Sequence, residues 1–594
     1  MTAATTGPHP HPHLPPDPPE LTGRGADLLV ESLHRCGVRV LFGVPGDTGV
    51  TLYDALYART GAVRHVLARD ERHAVAMADG FARASGVVGA VEVSSGGGTT
   101  YAVGGLGEAY AAGVPILVIS SDIHRSSRGT GALTEIDQLA LFRAVTKWRR
   151  RIDSVSEIGA AVGEALGHAS SGRPAPVALI FPEDVLDAVG TARLPAPGPQ
   201  HARVPADRPA ADPAAVERAA RLLAGAQRPA ILAGSGVHHS GAYRQLATLA
   251  DTGAIPVACS IHGKGAIADR HQWSLGVVGN NGARPAANDY LATADVTLLV
   301  GVRANATDTN SYTAPAPASQ VIGLDIDATR AGRTYPGSLR LVGDAATVLD
   351  QLTTSLGGQL AGPGEDGSRR QRLAAVQRVR DSWPPPAPTE LPEGQLFPPD
   401  VLRVLRDVAG ADALVVADPG TPTPNVAAYW EKHQPGRTII VPRGHGPMGY
   451  AIPAAIGVAC AHPDRPVIAL TADGSFAMAC GELETAARLR LPIIFVQFTN
   501  HSLGWIKMLQ HLYTERRYFG VDPGTIDAVA VARACGIAGA RVRDLATLRQ
   551  LTTDHVTAGT AVYLDIEVPH MIDVVPPVAS WEAALAGDRT RPAY

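Results

Sequence analysis

PVIALTADGSFAMACGELETAARLRLPIIFVQFTNHS, residues 466–502, is the stretch on which the reading of the chain turns. An apolar run, VIAL, enters Asp473-Gly474-Ser475. A helix expected to start near Gly481 follows, and a second apolar run, IIFVQF, ends at Asn500, 27 positions after Asp473. A strand–helix–strand unit of this size brings both strand ends to one edge of a parallel sheet, where open α/β sheets bind ligands. A carboxylate and an amide oxygen are hard donors that suit Mg²⁺, an octahedral ion that shares its shell with phosphate oxygens. Gly474 leaves room for a diphosphate against the backbone, and the Ser475 hydroxyl can donate to it. D-G-S is also a common surface-turn string, so the motif is weighed with the rest of the chain.

Working outward, RGHGPMGYAIPAAIGVA (443–459) breaks at Gly446-Pro447-Met448 before an Ala-rich helix. Met448 reads either as core filler or as an apolar wedge under a bent cofactor. Further upstream, ARDERHAVAMADGFARASG (68–86) puts Glu71 at the start of a helix whose next turns are small and apolar. Desolvation there raises a carboxylate pKa and lets it hold a proton near neutrality. A first-turn Glu is equally what the helix dipole favours.

The remaining chain repeats the alternation of strand and helix, which implies parallel sheets. The expected organisation is a disordered Pro/His-rich leader over 1–23, α/β domains over 24–193, 211–355 and 396–570, and a C-terminal tail over 571–594. The Pro-rich stretch LPAPGPQHARVPADRPAADP (194–213) and the Gly-, Pro- and charge-rich residues 356–395 read as linkers. The fold class is therefore α/β, with three doubly wound parallel-sheet domains.

Composition narrows the function. Of 594 residues, 45% are hydrophobic and 18% charged, which fits a folded globular chain. The net charge of −4 offers no basic excess for nucleic acid or an anionic membrane. No apolar run approaches the ~18 residues of a membrane span. Five scattered cysteines make neither a disulfide framework nor a zinc site and suit a reducing cytoplasm. The N-terminus lacks the basic start and apolar run of a signal peptide, and its His9, His11 and His13 are at most a weak metal site.

Taken together, FGVPGD (42–47), the Glu71 segment, SSGGGTTYAVGGLGEAYAAGVPILVIS (94–120), GPMGY and ADGSF…N resemble the thiamine-diphosphate-dependent enzymes of the acetolactate synthase and pyruvate oxidase group over about residues 24–570. The three blocks then correspond to pyrimidine-binding, central and diphosphate-binding domains. The resemblance implies Glu71 as the cofactor-activating acid and Met448 as the wedge. It implies the Gly446 carbonyl as acceptor for the aminopyrimidine, Gly474 and Ser475 beside the diphosphate, and Asp473, Asn500 and the Ser502 carbonyl as Mg²⁺ ligands. It further implies at least a homodimer, or a homotetramer, with Glu71 and the metal site contributed by different subunits.

The implied activity is decarboxylation of a pyruvate-like 2-oxo acid with carboligation to a carbonyl acceptor. A simple 2-oxo acid decarboxylase, a specialised acyl or acyloin transferase of secondary metabolism, or a non-catalytic subunit are the alternatives. Departures from the synthase pattern fall at substrate-facing places: Leu133 and Thr134 in GALTEIDQ (131–138), Pro422 and Thr423 in DPGTPTPN (418–425), and Leu509, with Trp505 one turn earlier. His445 and His501 are candidate proton relays, ahead of His124. His73 stands where the family usually has a small residue, and the sequence assigns it no role. HGKGAI (262–267), VGVRANAT (300–307) with Arg303, and GLDID (323–327) resemble flavin-embracing segments. They leave two readings open, an FAD site or a plain Rossmann-like layer.

Overall fold

The computed structural model describes residues 19–359, 365–384, 390–588 and 590–592. His9, His11 and His13 lie outside the described residues. Three six-stranded sheets, parallel throughout, form the frame. A short antiparallel ribbon, β1 (Glu20–Arg24) with β8 (Val189–Arg193), closes the first domain. The leader expected over 1–23 is corrected accordingly: its last residues are strand, and their ladder ties the start of the domain to its end.

The first sheet contains β2 (Val40–Gly43), β3 (Arg64–Leu67), β4 (Gly89–Val93), β5 (Ile116–Asp122), β6 (Trp148–Arg151) and β7 (Val177–Pro182), in the order β3-β2-β4-β5-β7-β6. The central sheet contains β9 (Pro229–Ala233), β10 (Val257–Cys259), β11 (Ser274–Val277), β12 (Val296–Val300), β13 (Gln320–Asp325) and β14 (Leu339–Val342), in the order β11-β10-β9-β12-β13-β14. The third contains β15 (Leu414–Ala417), β16 (Ile439–Ile440), β17 (Val467–Ala472), β18 (Ile493–Thr499), β19 (Ala538–Val542) and β20 (Val562–Glu567), in the order β16-β15-β17-β18-β20-β19. Numbered within each domain, the outer sheets share the order 2-1-3-4-6-5. The central sheet has 3-2-1-4-5-6, the order of dinucleotide-binding folds. Near-continuous apolar strands such as ILVIS and IIFVQF follow from burial on both faces.

The first and third domains share one apolar core. Val75, Met77 and Ala78 of the helix Glu71–Ser85 belong to the same cluster as Ile452, Ala455 and Ile456 of the helix Ala451–Ala461. The two helices cross at backbone contact. A methyl group on Gly80 would stand 2.2 Å from the Ala454 carbonyl oxygen, and one on Gly457 would stand 1.9 Å from that of Met77. Glycine is therefore required at both positions. The central domain has its own core.

One further expectation is corrected. The supposed linker 356–395 contains a helix, Glu365–Asp381, whose Val376 and Val379 join the central core. Its high charge lies on the solvent side and hid the apolar stripe. In the C-terminal tail, Met571, Val578 and Trp581 pack against Met508 and Leu512, and the Trp581 ring lies 4.4 Å from that of Trp505. No helix among the described residues is long and apolar enough to cross a membrane.

Candidate active site

β17 and β18 are neighbours, so their C-terminal ends present Asp473 and Asn500 side by side. The helix expected near Gly481 is present as Glu482–Arg488, capped by Gly481, and a further short helix, Asp473–Ala479, precedes it. Asp473 Oδ2 accepts the backbone N–H of His501 at 2.6 Å and of Asn500 at 3.1 Å, while Oδ1 accepts that of Gly474 at 2.8 Å. These bonds lock the two strand ends together. Burial nevertheless raises the Asp473 pKa, outweighing the three donors.

Asn500 donates from Nδ2 to Thr421 Oγ1 at 3.3 Å. The Ser475 hydroxyl is buried with no hydrogen-bond partner among the described residues. Ser502 is buried; its hydroxyl donates to the Val521 carbonyl and its own carbonyl accepts Gly504 N–H at 2.8 Å. A methyl on Gly474 would meet Leu503 Cδ2 at 2.7 Å and Met448 Cε at 3.1 Å. Met448 therefore lies over the same glycine that opens the Asp473 turn.

The loop before Met448 is shaped from the other domain. Glu108, on the helix Gly97–Ala112, accepts three successive backbone N–H groups: Gly444 at 2.9 Å, His445 at 2.6 Å and Gly446 at 3.2 Å. Arg83 braces Glu108 at 3.1 Å and Asp79 at 2.6 Å, and the Tyr450 hydroxyl donates to Asp79. Gly446 has φ +75°, a conformation that favours glycine. Asp418 plays a matching part from below. It accepts Tyr450 N–H and Ala451 N–H through Oδ1 and the Thr471 hydroxyl through Oδ2, and burial pushes its pKa up to about 6. Sequence reasoning missed Glu108 and Asp418. The available signals were a lone acidic residue in an otherwise uncharged Gly/Ala-rich helix and an Asp at a strand end before Pro-Gly.

In the first domain, Asp70 caps the helix Glu71–Ser85 by accepting Arg72 N–H at 2.7 Å. Glu71 is half-buried in the first turn, and desolvation raises its pKa. A methyl on Gly98 would stand 3.2 Å from Glu71 Oε1 and 2.9 Å from Ser94 Oγ, so the carboxylate faces a glycine-lined surface. Close by, Glu92 is fully buried and its pKa rises to about 8, chiefly by desolvation; the Tyr53 hydroxyl donates to it, and Oε1 has no partner. Sequence reasoning missed this second acid inside an apolar strand.

His73 now has a role. Its Nδ1 lies 3.1 Å from Glu482 Oε1, which also accepts Arg69 N–H at 2.9 Å. The buried pair joins the first domain to the third. His445 is exposed, with its ring against Gly107. His501 is exposed with φ +57° and lies 3.8 Å from Glu567. His124 accepts Ser126 N–H and belongs to a local turn. Among the described residues of one chain, no hydrogen bond or ion pair joins Glu71 to Asp473 or Asn500.

Where the central domain meets the first, a crevice at the C-terminal ends of β9, β12, β13 and β14 is lined by Ser235, Gly236, Arg303, Asp325 and Arg330, with Arg173 of the first domain. Gly236 and Gly301 approach at backbone contact there. Arg303 also spans the domains, donating to Ala111 and Arg443 carbonyls.

This fold, with two like-wired outer domains around a dinucleotide-type centre, defines the class of protein, and known families match it domain by domain. Residues 23–141 match the model described as the thiamine pyrophosphate enzyme N-terminal TPP binding domain. Residues 216–352 match its central domain, and 418–566 its C-terminal TPP binding domain. The chain belongs to the thiamine pyrophosphate enzyme family. It is 33% identical to the acetolactate synthase isozyme 3 large subunit of Escherichia coli, covering 93% of this chain and 96% of that protein. It is 32% identical to the probable acetolactate synthase large subunit of Methanocaldococcus jannaschii, over 93% and 94%. To the mitochondrial acetolactate synthase catalytic subunit of Saccharomyces cerevisiae it is 30% identical, over 93% and 82%.

Proposed function

We propose that this thiamine-diphosphate-dependent enzyme decarboxylates a pyruvate-like 2-oxo acid and ligates the remaining fragment to a carbonyl acceptor. The observation that carries the reading is the pairing of Asp473 and Asn500 at adjacent strand ends, with the unpartnered Ser475 hydroxyl and Met448 over Gly474. Thiamine diphosphate, when bound, supplies a nucleophilic carbon and an electron sink for loss of CO₂.

This chain's residues bind, orient and prime it. Asp473, Asn500 and the Ser502 carbonyl are the Mg²⁺ donors; an orphaned buried hydroxyl beside hard oxygen ligands fits a metal-held diphosphate. Gly474 and Ser475 lie alongside that diphosphate. Met448 is the wedge, and the Gly446 carbonyl, on a loop held by Glu108, accepts from the pyrimidine amino group. Glu71, its pKa raised by desolvation, holds the proton that primes the pyrimidine ring. His445 and His501 are exposed at the loops flanking this site and serve as proton relays to substrate.

A second copy of the chain completes the site, as a homodimer or homotetramer, because Glu71 faces glycine-lined surface rather than its own chain's Asp473. Exposed apolar side chains nearby, Tyr101 at 64% and Met478 at 45%, support that reading. The central crevice fits the nucleotide end of FAD: the strand order, the glycine contacts and Asp325 at a strand end suit a dinucleotide. Five free cysteines support a cytoplasmic setting.

Thr134, held by Ser95 at φ +67°, and the exposed Leu133 favour a specialised carboligase or acyl transferase as the second reading, since both change the substrate-side loop. Incubating the protein with thiamine diphosphate, Mg²⁺ and a panel of 2-oxo acids, with and without aldehyde or ketone acceptors, tests both. CO₂ release with a coupled product supports carboligation, CO₂ with free aldehyde supports the plain decarboxylase, and no CO₂ from any acid overturns both. Flavin absorbance of the purified protein tests FAD.

A further inference from the structure

A second cavity, of about 520 Å³, opens where the three domains meet. That is within the usual size of small-molecule sites. Its wall carries Arg83, Lys432, Arg437, Arg465, Thr438 and His462, with Asp412 as its one carboxylate.

The charges in it are not balanced. Arg83 is neutralised by Asp79 and Glu108. Lys432 is 2% exposed, yet among the described residues no carboxylate lies within ion-pair distance of its ammonium. Arg437 has no ion-pair partner among the described residues either. Arg465 donates to the Asp412 main-chain carbonyl and not to a carboxylate. Burial lowers the Lys432 pKa to about 8 against the pull of Asp412 and Asp269, and burial beside Arg83 lowers that of Arg437 to about 10. His238 and His239 add little charge: burial lowers His238 to about 3, and His239 falls in the same direction. Thr438, 7% exposed, has a buried hydroxyl with no partner.

Buried cations without counter-ions are costly, and a buried hydroxyl without a partner adds to that cost. An ammonium and two guanidinium forks are donors only, and a hydroxyl can donate beside them; together they match the oxygens of a phosphoryl group. We propose that this junction cavity binds a small phosphorylated anion carrying at least two negative charges, held by Lys432, Arg437, Arg465 and Thr438. The site is separate from the Asp473 turn and does not depend on the reaction proposed above.

The test is calorimetric titration of the holoenzyme, saturated with thiamine diphosphate and Mg²⁺, using ribose 5-phosphate, inorganic phosphate and succinate. The expected result is saturable binding of both phosphates, with succinate at least tenfold weaker. Lys432→Met and Arg437→Gln should each weaken ribose 5-phosphate binding tenfold or more. The rim variant Arg465→Gln should weaken it by a smaller factor, and Arg173→Gln, in the central crevice, should leave it unchanged. Without ligand, Lys432→Met should melt no lower than the parent, because it removes an uncompensated buried charge. Absence of binding, equal binding of succinate, unaltered binding in both Lys432→Met and Arg437→Gln, or loss in Arg173→Gln would each overturn the proposal. A lower melting temperature of ligand-free Lys432→Met would assign the lysine to structure instead.

Discussion

The first and third domains have the same strand order, 2-1-3-4-6-5, and set differently surrounded acids on it. The helix after the second strand is Glu71–Ser85 in one and Ala451–Ala461 in the other, and these equivalent helices pack on each other through Gly80 and Gly457. After the third strand, the third domain places Asp473, a carboxylate whose oxygens take three backbone N–H groups. The first domain instead buries Glu92 within its third strand, with one oxygen unpartnered. One framework thus presents a carboxylate that takes three backbone donors, and its twin a buried acid with one oxygen unpartnered among the described residues, while burial raises the pKa of both. The local dielectric and donor count, not the topology, set the chemistry.

Four experiments break or sharpen this contrast. The largest effect is expected from the two signature acids. Glu71→Gln should lower turnover of every 2-oxo acid by at least about 10²-fold, the scale of a lost proton-transfer group, while the dissociation constant for thiamine diphosphate stays within tenfold. Asp473→Ala should do the reverse first, losing Mg²⁺-dependent cofactor binding. Tight binding retained in a chelator would remove the metal assignment.

Next, Gly457→Val forces a side chain into the Met77 backbone. It should cost about 1–3 kcal/mol or more of overpacking, seen as a lower melting temperature, with Gly80→Val doing the same from the other helix. If neither change lowers it, the close helix crossing does not hold.

A smaller effect is expected from Glu108→Gln. It weakens three charge-assisted hydrogen bonds to the 444–446 loop, each of the class worth about 1.5–3 kcal/mol at most. The KM for thiamine diphosphate should rise about tenfold with a lesser change in kcat, measured by cofactor titration. An unchanged KM would detach the loop from the other domain's acid.

The smallest effect concerns pH. Glu92 has a folded pKa of about 8 against an ordinary 4.5, so the folded state holds the extra proton between those values. Stability from this group is present below about pH 4.5 and falls away as pH rises toward 8. Glu92→Gln should therefore raise the melting temperature at pH 9 and change it little at pH 5. A gain of the same size at both values would show that Glu92 does not titrate as buried.

Strand and helix periods, with the D-G-S turn and Asn500 at its spacing, were sufficient to read three parallel α/β domains and the side-by-side placing of Asp473 and Asn500. Those features are local: an apolar strand must end where its polar ligand begins. Glu71 was legible as a helix-start acid, but not its facing onto Gly98, since that contact joins residues far apart in sequence. The helix Glu365–Asp381 was hidden by its charge, and strand Glu20–Arg24 by the Pro-rich segment before it.

By itself the sequence determined the family and the fold class and pointed to Asp473 and Asn500 at neighbouring strand ends, because each is written in short-range pattern. Only the tertiary structure decided that Glu108 holds the loop bearing Gly446 and Met448, that His73 latches Glu482, and that the central sheet alone has the 3-2-1-4-5-6 order. Only it gathered Lys432, Arg437 and Arg465 around an uncompensated cavity. Those outcomes depend on which buried groups meet across domains, and the free energy of a buried charge is set by its neighbours in space rather than in sequence.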